Sequence, residues 1–345
     1  MTLSVLPEDD AVELLSRGEL ELEGRLVDAS NTTLRAEITL DGLTRRCVYK
    51  PVRGERPLWD FPDGTLAGRE VSAYLVSQAT GWGLVPPTIL RDGPFGVGAC
   101  QLWIDEPEDA QALIGFVPAW DVPEGWLAVA SARDDDGDAY ALAHADDQRL
   151  ARLAVLDAVI NNADRKGGHV LYAGDRLFGV DHGVSFHVEN KLRTVLWCWT
   201  GKPIARELLD VLAELLTKLD GPLGAALEEH LMITEVQHIR LRARRLLRTG
   251  RFPKPPQDWP AMPWPPVLRF RSPPGRKCRW VWIGSSAWTH GWGTRCRDCR
   301  GARRRRRSTT RPAARCSPPP RPRPRRCTSA ASLRMTPPTW ATPPP

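Results

Sequence analysis

Paired cysteines are missing from the first three quarters of this 345-residue chain. Residues 1–266 hold only Cys47, Cys100 and Cys198, an odd number without paired spacing. That excludes a disulfide framework and suits free thiols in a reducing compartment. No apolar run approaches the ~20 residues that a membrane span needs. Met1–Gly18 carries acids at positions 8–10 and lacks the apolar stretch of a secretory signal. The expectation is a cytoplasmic protein with no membrane span. Acidic residues, in turn, are almost missing from the other end. Residues 267–345 contain Asp298 alone, beside 20 Lys and Arg and 13 Pro, a net of +19. Residues 1–266 hold 28 Lys and Arg against 40 Asp and Glu, a net of −12. The overall +7 therefore describes neither part.

The basic segment lacks hydrophobic periodicity. Its arginine runs, Arg303–Arg307 and Arg321–Arg326, suggest nucleic-acid binding, and Cys296-x-x-Cys299 with Cys278 and Cys316 suggests zinc. Its Arg, Pro, Ala, Trp and Cys content is also what GC-rich coding DNA yields when read out of frame. The expectation is a disordered tail, an out-of-frame translation beginning near Val267, with nucleic acid as a partner only if the tail is genuine.

The acidic part is long enough to bury a sizeable core. Pro7–Arg17 reads as a short helix. Leu20–Val27, Leu34–Leu40 and Arg46–Pro51 read as three strands of an antiparallel meander, with a turn at Asp41-Gly42. Leu66–Thr80 has helical spacing, a Thr65 cap and a Gly81 stop. Pro86–Leu90 and Val97–Ile104 are two more strands. Asp105–Asp147 is acidic, with Pro107, Pro123 and the run Asp134–Asp138, and reads as a linker and insertion. The acidic run lacks the twelfth-position Glu of a calcium loop and is read as solvated. Helices follow at Ala205–Leu219, Gly224–Leu231 and Thr234–Thr249.

The stretch Leu156–Phe186 carries the chemistry. A helix with Leu150, Leu153, Ala154, Leu156 and Ile160 apolar ends in the polar loop Asn161-Asn162-Ala163-Asp164-Arg165-Lys166-Gly167-Gly168-His169. A hairpin follows, Val170–Tyr172 and Leu177–Val180, and runs into Asp181-His182-Gly183. Asp164 and Asp181 thus stand 17 residues apart with a fold-back between them, which lets both face one cleft. Asp157, on the preceding helix, is a candidate buried acid that fixes the loop, and Arg165 is a candidate partner for a nearby acid.

This order, Asn162-x-Asp164-Arg165 followed by Asp181-x-Gly183, resembles the catalytic and metal loops of kinase-like phosphotransferases. The matching branch is the atypical one, the phosphatidylinositol 3-/4-kinase-like and HipA-like enzymes. More narrowly, the chain is similar over roughly residues 10–266 to an actinobacterial family of phosphatidylinositol kinase-related proteins. The resemblance implies a two-lobed, protein-kinase-like α+β fold. Residues 1–104 would form the antiparallel β small lobe with its helix, 105–146 the acidic linker or insertion, and 147–266 a mainly α large lobe. It implies ATP and Mg (or Mn) as cofactors and transfer of the γ-phosphate to a hydroxyl on a protein, lipid headgroup or small molecule. A nucleotide-binding pseudokinase or sensor is the rival reading.

In that resemblance Asp164 orients the nucleophile and Asp181 binds the metal bridging the phosphates. Lys50, in Arg46-Cys47-Val48-Tyr49-Lys50-Pro51, matches the phosphate-binding lysine; otherwise it is a solvated strand-end residue. Glu70 is the helix acid that pairs with Lys50, or else a first-turn glutamate favoured by the helix dipole. Ser30 and Asn31 replace the usual glycine-rich turn and would offer backbone N–H groups and polar side chains to phosphate. Leu102 and Trp103 fall where the hinge holds adenine. The branch places Asn five residues after the catalytic Asp, where this chain has His169. Imidazole suits Mn²⁺ or Zn²⁺ better than Mg²⁺. Either His169 is a metal ligand or it contacts phosphate, with Asn162 as a compensating ligand.

Overall fold

Alternation of buried and exposed positions builds the front of the chain into one antiparallel sheet. In β2 (Leu34–Leu40), Leu34, Ala36 and Ile38 point inward while Arg35, Glu37 and Thr39 face solvent. The sheet runs in the order β1-β2-β3-β5-β4, with β1 at Glu19–Arg25, β3 at Leu43–Pro51, β4 at Thr88–Gly93 and β5 at Gly96–Leu102. Asp41 and Gly42, both at positive φ, make the β2–β3 turn. Helix α1 (Glu8–Arg17) covers the inner face. Its Ala11, Leu14 and Leu15 pack with Ala36, Ile38, Cys47, Cys100 and Leu102. The computed structural model describes residues 6–26, 31–107, 110–134 and 137–267, all within one unit, Met1–Ser285. A second unit, Ser286–Pro345, lies outside them, as do Ser30 and the readings made of the basic segment.

Two features of this lobe set up the site. Strands β3 and β5 approach closely at Lys50, because a side chain on Gly98 would come within 2.6 Å of the Lys50 carbonyl. Helix α2 (Leu66–Thr80) is buried on nearly every face, between the sheet and the helices behind it. Thr65 caps it, accepting from Gly68 N–H at 2.9 Å, and the Glu55 carboxylate accepts from Leu66 and Ala67 N–H at 2.9 and 2.8 Å. Gly81, at φ 70°, ends it.

Residues 105–146, expected as an acidic linker or insertion, hold regular structure. They fold into a three-stranded antiparallel sheet, β6 (Ile114–Pro118), β7 (Trp126–Arg133) and β8 (Ala139–Ala145), in the order β6-β8-β7. The segment is rich in alanine, which ranks as a helix former and is depleted in strands, and its acids crowd the turns. Tertiary context overrides both signals: Ile114 and Leu142 join the main core, Tyr172 N–H donates to the Glu106 carboxylate, and the Tyr172 hydroxyl oxygen accepts Leu113 N–H.

The main core lies in the large lobe. Helix α3 (Gln148–Ile160) enters it under an Asp147 cap and stops at Asn161, held at φ 56°. The hairpin β9 (Val170–Ala173) and β10 (Arg176–Gly179) follows. Helices α4 (Arg206–Leu219), α5 (Pro222–Glu228) and α6 (Ile233–Thr249) close the lobe. The result is a two-lobed α+β fold. Among the described residues no helix is long and apolar enough to cross a membrane, and Cys47, Cys100 and Cys198 are free thiols.

Truncation of the fully buried Leu212 to alanine is expected to cost about 2–5 kcal/mol in urea unfolding, since α4 cannot collapse onto the gap. His144, wholly buried on β8 with its ring 4.5 Å from Trp199, gives a pH signature. Burial holds its pKa down to about 4. The unfolded chain then binds the extra proton first, so stability falls as pH drops from about 6.5 toward 4. Unfolding measured across that range should show the loss, and His144→Phe should flatten its share of it.

Candidate active site

Lys50 sits where the two lobes meet. Its Nζ pairs with Glu70 Oε1 from α2 and lies 3.0 Å from Asp181 Oδ1 of the large lobe. Burial alone would lower its pKa. The negative charges of Asp181 and Glu70 overcome that and raise it well above the usual lysine range. Lys50 in turn holds the Asp181 carboxyl well below the ordinary carboxylate range. Asp181 occupies the left-handed region at φ 61°, a conformation that costs a non-glycine residue of order 1–3 kcal/mol and clusters at functional sites. His169 Nε2 approaches Asp181 Oδ2 at 3.4 Å, and burial depresses the imidazole pKa, so the ring is neutral near pH 7.

The other Glu70 oxygen, Oε2, accepts the His182 backbone N–H at 2.9 Å. The buried His182 ring lies 2.6 Å from Arg165 Nη2. A guanidinium can only donate, so His182 Nε2 accepts and the neutral ring keeps its proton on Nδ1. Burial first, then Arg165, pushes the His182 pKa well down. Arg165, fully buried, forms a fork onto Asp157 at 2.9 and 3.0 Å and donates its remaining N–H groups to the His169 and Val180 carbonyls. Asp157 also accepts from Asn162 Nδ2 at 2.9 Å, and Asn162 Oδ1 accepts Asp164 N–H at 2.9 Å. An unbroken polar chain thus links Lys50 to Asp164.

Asp164 is partly open. Its carboxylate meets Lys166 Nζ at 2.9 Å and Arg193 Nη2 at 3.4 Å. The segment carrying Arg193 runs alongside the loop, with Arg193 N–H on the Asn162 carbonyl at 2.9 Å and Arg165 N–H on the Arg193 carbonyl at 3.0 Å. Two residues earlier, Lys191 is buried. Its Nζ lies 2.8 Å from Asp60 Oδ2 and faces the rings of Trp259, Trp59 and Phe61 at 4.4, 5.2 and 5.7 Å. That clasp ties a small-lobe loop and the C-terminal strap, the extended stretch 251–267 after α6, to the segment beside Asp164.

Several expected residues are thus brought together: Lys50, Glu70, Asp181 and His169 touch in sequence, and His169 feels the charge of Asp164 as well. Others are not. Asn162 is fully buried and both ends of its amide are occupied, so it braces the loop instead of offering a metal ligand. Leu102 N–H donates to the Pro87 carbonyl and Trp103 N–H to the Arg46 carbonyl, which removes both donors from adenine recognition. Asn31 accepts from Arg56 N–H at 2.9 Å and ties its turn to the loop after β3. Ser30 lies outside the described residues. Lys191, Arg193 and the buried Arg69, which pairs with Glu235 at 2.7 Å, carry no sequence signal, because their partners are 29 to 166 residues away. Among the described residues no group of three or more His, Cys, Asp or Glu is placed to hold a metal ion.

Fold and site define an α+β protein with a cleft of paired charges, Lys50 with Glu70 and Asp181. No family model matches the chain. Protein Rv2133c of Mycobacterium tuberculosis is 51% identical over 272 residues, spanning 76% of this chain and 98% of its own length. The chain belongs to the family of that protein. Among solved structures it is similar to the Golgi casein kinase, at 12% identity and TM-score 0.43, over 70% of this chain and 73% of that one. It is similar also to the Helicobacter pylori proinflammatory kinase CtkA, at 9% and 0.38 over 69% and 94%. A third likeness, to hydra Fam20, stands at 14% and 0.37 over 72% and 90%.

Asp157→Leu tests the brace. It strands the Arg165 guanidinium in the core without its counter-ion, which is expected to cost about 3–5 kcal/mol in chemical denaturation.

Proposed function

We propose that the chain is an ATP-dependent phosphotransferase that moves the γ-phosphate onto a hydroxyl. The observation that carries this reading is the Lys50 ammonium, shared by a helix acid of one lobe and a loop acid of the other, 131 residues on, at 3.0 Å. Phosphoryl transfer needs positioned cations, an aligned phosphate and an oriented nucleophile more than covalent help. Lys50 would receive the nucleotide phosphates, and Asp164 would accept the hydrogen bond of the attacking hydroxyl. Late proton loss suffices for that role.

A divalent ion fits this donor set. Mg²⁺ and Mn²⁺ at phosphate sites take one or two protein ligands, with phosphate oxygens and water completing the shell. Asp181 supplies the carboxylate, and His169 Nε2 converges on it from 3.4 Å. When bound, the ion would neutralise charge on the β- and γ-phosphates. Imidazole in place of the second oxygen ligand favours Mn²⁺. The three free thiols suit a cytoplasmic setting.

A second reading, nucleotide binding without transfer, draws on the same His169. ATP turnover separates the two. Asp164→Asn in the full chain is expected to lower kcat by about 10²–10⁴-fold with the KM for ATP little changed. Equal turnover in wild type and variant would discard the enzyme reading.

A further inference from the structure

Arg193 is more elaborately held than a brace for Asp164 requires. Its Nε donates to the Ala163 carbonyl at 2.5 Å, its backbone is hydrogen-bonded at both N–H and C=O, and the Lys191 clasp fixes the chain two residues away. Yet its only side-chain contact with Asp164 is a long 3.4 Å approach, and the side chain stays 27% exposed. Among the described residues Arg193 Nη1 makes no hydrogen bond. Lys166 stands on the other oxygen of the same carboxylate at 2.9 Å and is also partly exposed. One carboxylate therefore faces two cations, which leaves a surplus positive charge where the acceptor must place its hydroxyl. A planar guanidinium with free N–H groups, already immobilised, matches a phosphate or carboxylate and loses little freedom on binding it.

The far side of the loop is closed. Gly167 N–H donates to the Pro266 carbonyl at 2.8 Å, and a methyl on Gly167 would come within 3.2 Å of Ile114 Cγ2 and 3.3 Å of Val267 Cγ2. The folded insertion and residues 266–267 thus pack directly against that side of the loop, which leaves less room there for an extended peptide than for a compact acceptor.

We infer that the acceptor is a compact hydroxyl compound bearing a phosphate or carboxylate, and that Arg193, flanked by Lys166, is the group that recognises this anion; the inference rests on the phosphotransferase reading above. Recognition comes from the fork of the guanidinium, so arginine and lysine are not equivalent at this position.

The test is binding, followed by ligand-observed NMR on the full chain saturated with a non-hydrolysable ATP analogue and Mg²⁺. The probes are glycerol 3-phosphate, lactate, uncharged glycerol, and a serine peptide flanked by glutamates. Wild type is expected to bind glycerol 3-phosphate, or lactate if the anion is a carboxylate, at least tenfold more tightly than glycerol and than the peptide. Arg193→Gln should shrink that ratio below threefold, and Arg193→Lys should keep part of it. If Arg193→Gln does not fold, Lys166→Gln should narrow the same ratio. Equal binding of charged and uncharged probes, a ratio unchanged in the variants, or preference for the peptide would overturn the inference. Selective anion binding without any ATP turnover would instead sink the phosphotransferase reading, and transfer to glycerol with no anion preference would sink this one alone.

Discussion

The arrangement depends on one half-buried cation between two acids. The buried Glu70 on α2 and the more open Asp181 after the hairpin would repel each other if Lys50 were absent. With the ammonium between them, the repulsion becomes an attraction that holds the lobes in register. The strand that carries Lys50 is pressed against β5 at Gly98, so the lysine reaches the cleft from a backbone with little room to shift. Glu70 serves twice, with one oxygen on the ammonium and the other on His182 N–H. Movement of α2 would therefore disturb both the cation and the loop that carries Asp181.

From that pair the polar chain runs inward, through His182, Arg165, Asp157 and Asn162, and emerges at Asp164. Its members are buried, and each donor of Arg165 has an acceptor. Such networks are rigid when complete and costly when broken, because the interior offers no water to replace a lost partner. This explains how a loop of small and polar residues, Asn162 to His169, keeps a defined shape. Neighbouring segments reinforce it from outside: residues 193–195 by backbone pairing, the strap by the Pro266 carbonyl, and the Lys191 clasp by binding three sequence-distant segments to one ammonium.

The parts of this design that announce themselves locally were readable from residue order. Strand alternation around Leu34–Leu40, the Thr65 cap, the Gly81 stop and the fold-back between Asp164 and Asp181 depend on neighbours within a few residues. Asp157 and Arg165 are eight residues apart on a helix end and its loop, so their pairing was also within reach. The strands of the insertion carry little local signal, because alanine strands look helical or featureless until a core is placed against them. Leu102 and Trp103 were assigned by order alone, and order cannot say which carbonyl an N–H already holds.

Chain order alone pointed to the antiparallel front lobe, the helical rear, and Lys50, Glu70, Asp164 and Asp181 as candidate site residues. These follow from short-range sterics, periodicity and turn chemistry, which act over one or two turns of chain. Tertiary packing decided which of those charges meet. It joined Lys50 to Asp181 over 131 residues, turned Asn162 inward, folded residues 114–145 into a wall and set Arg193 beside Asp164. Electrostatic partnership depends on distance in space and on local dielectric, and neither is written in the spacing of residues along the chain.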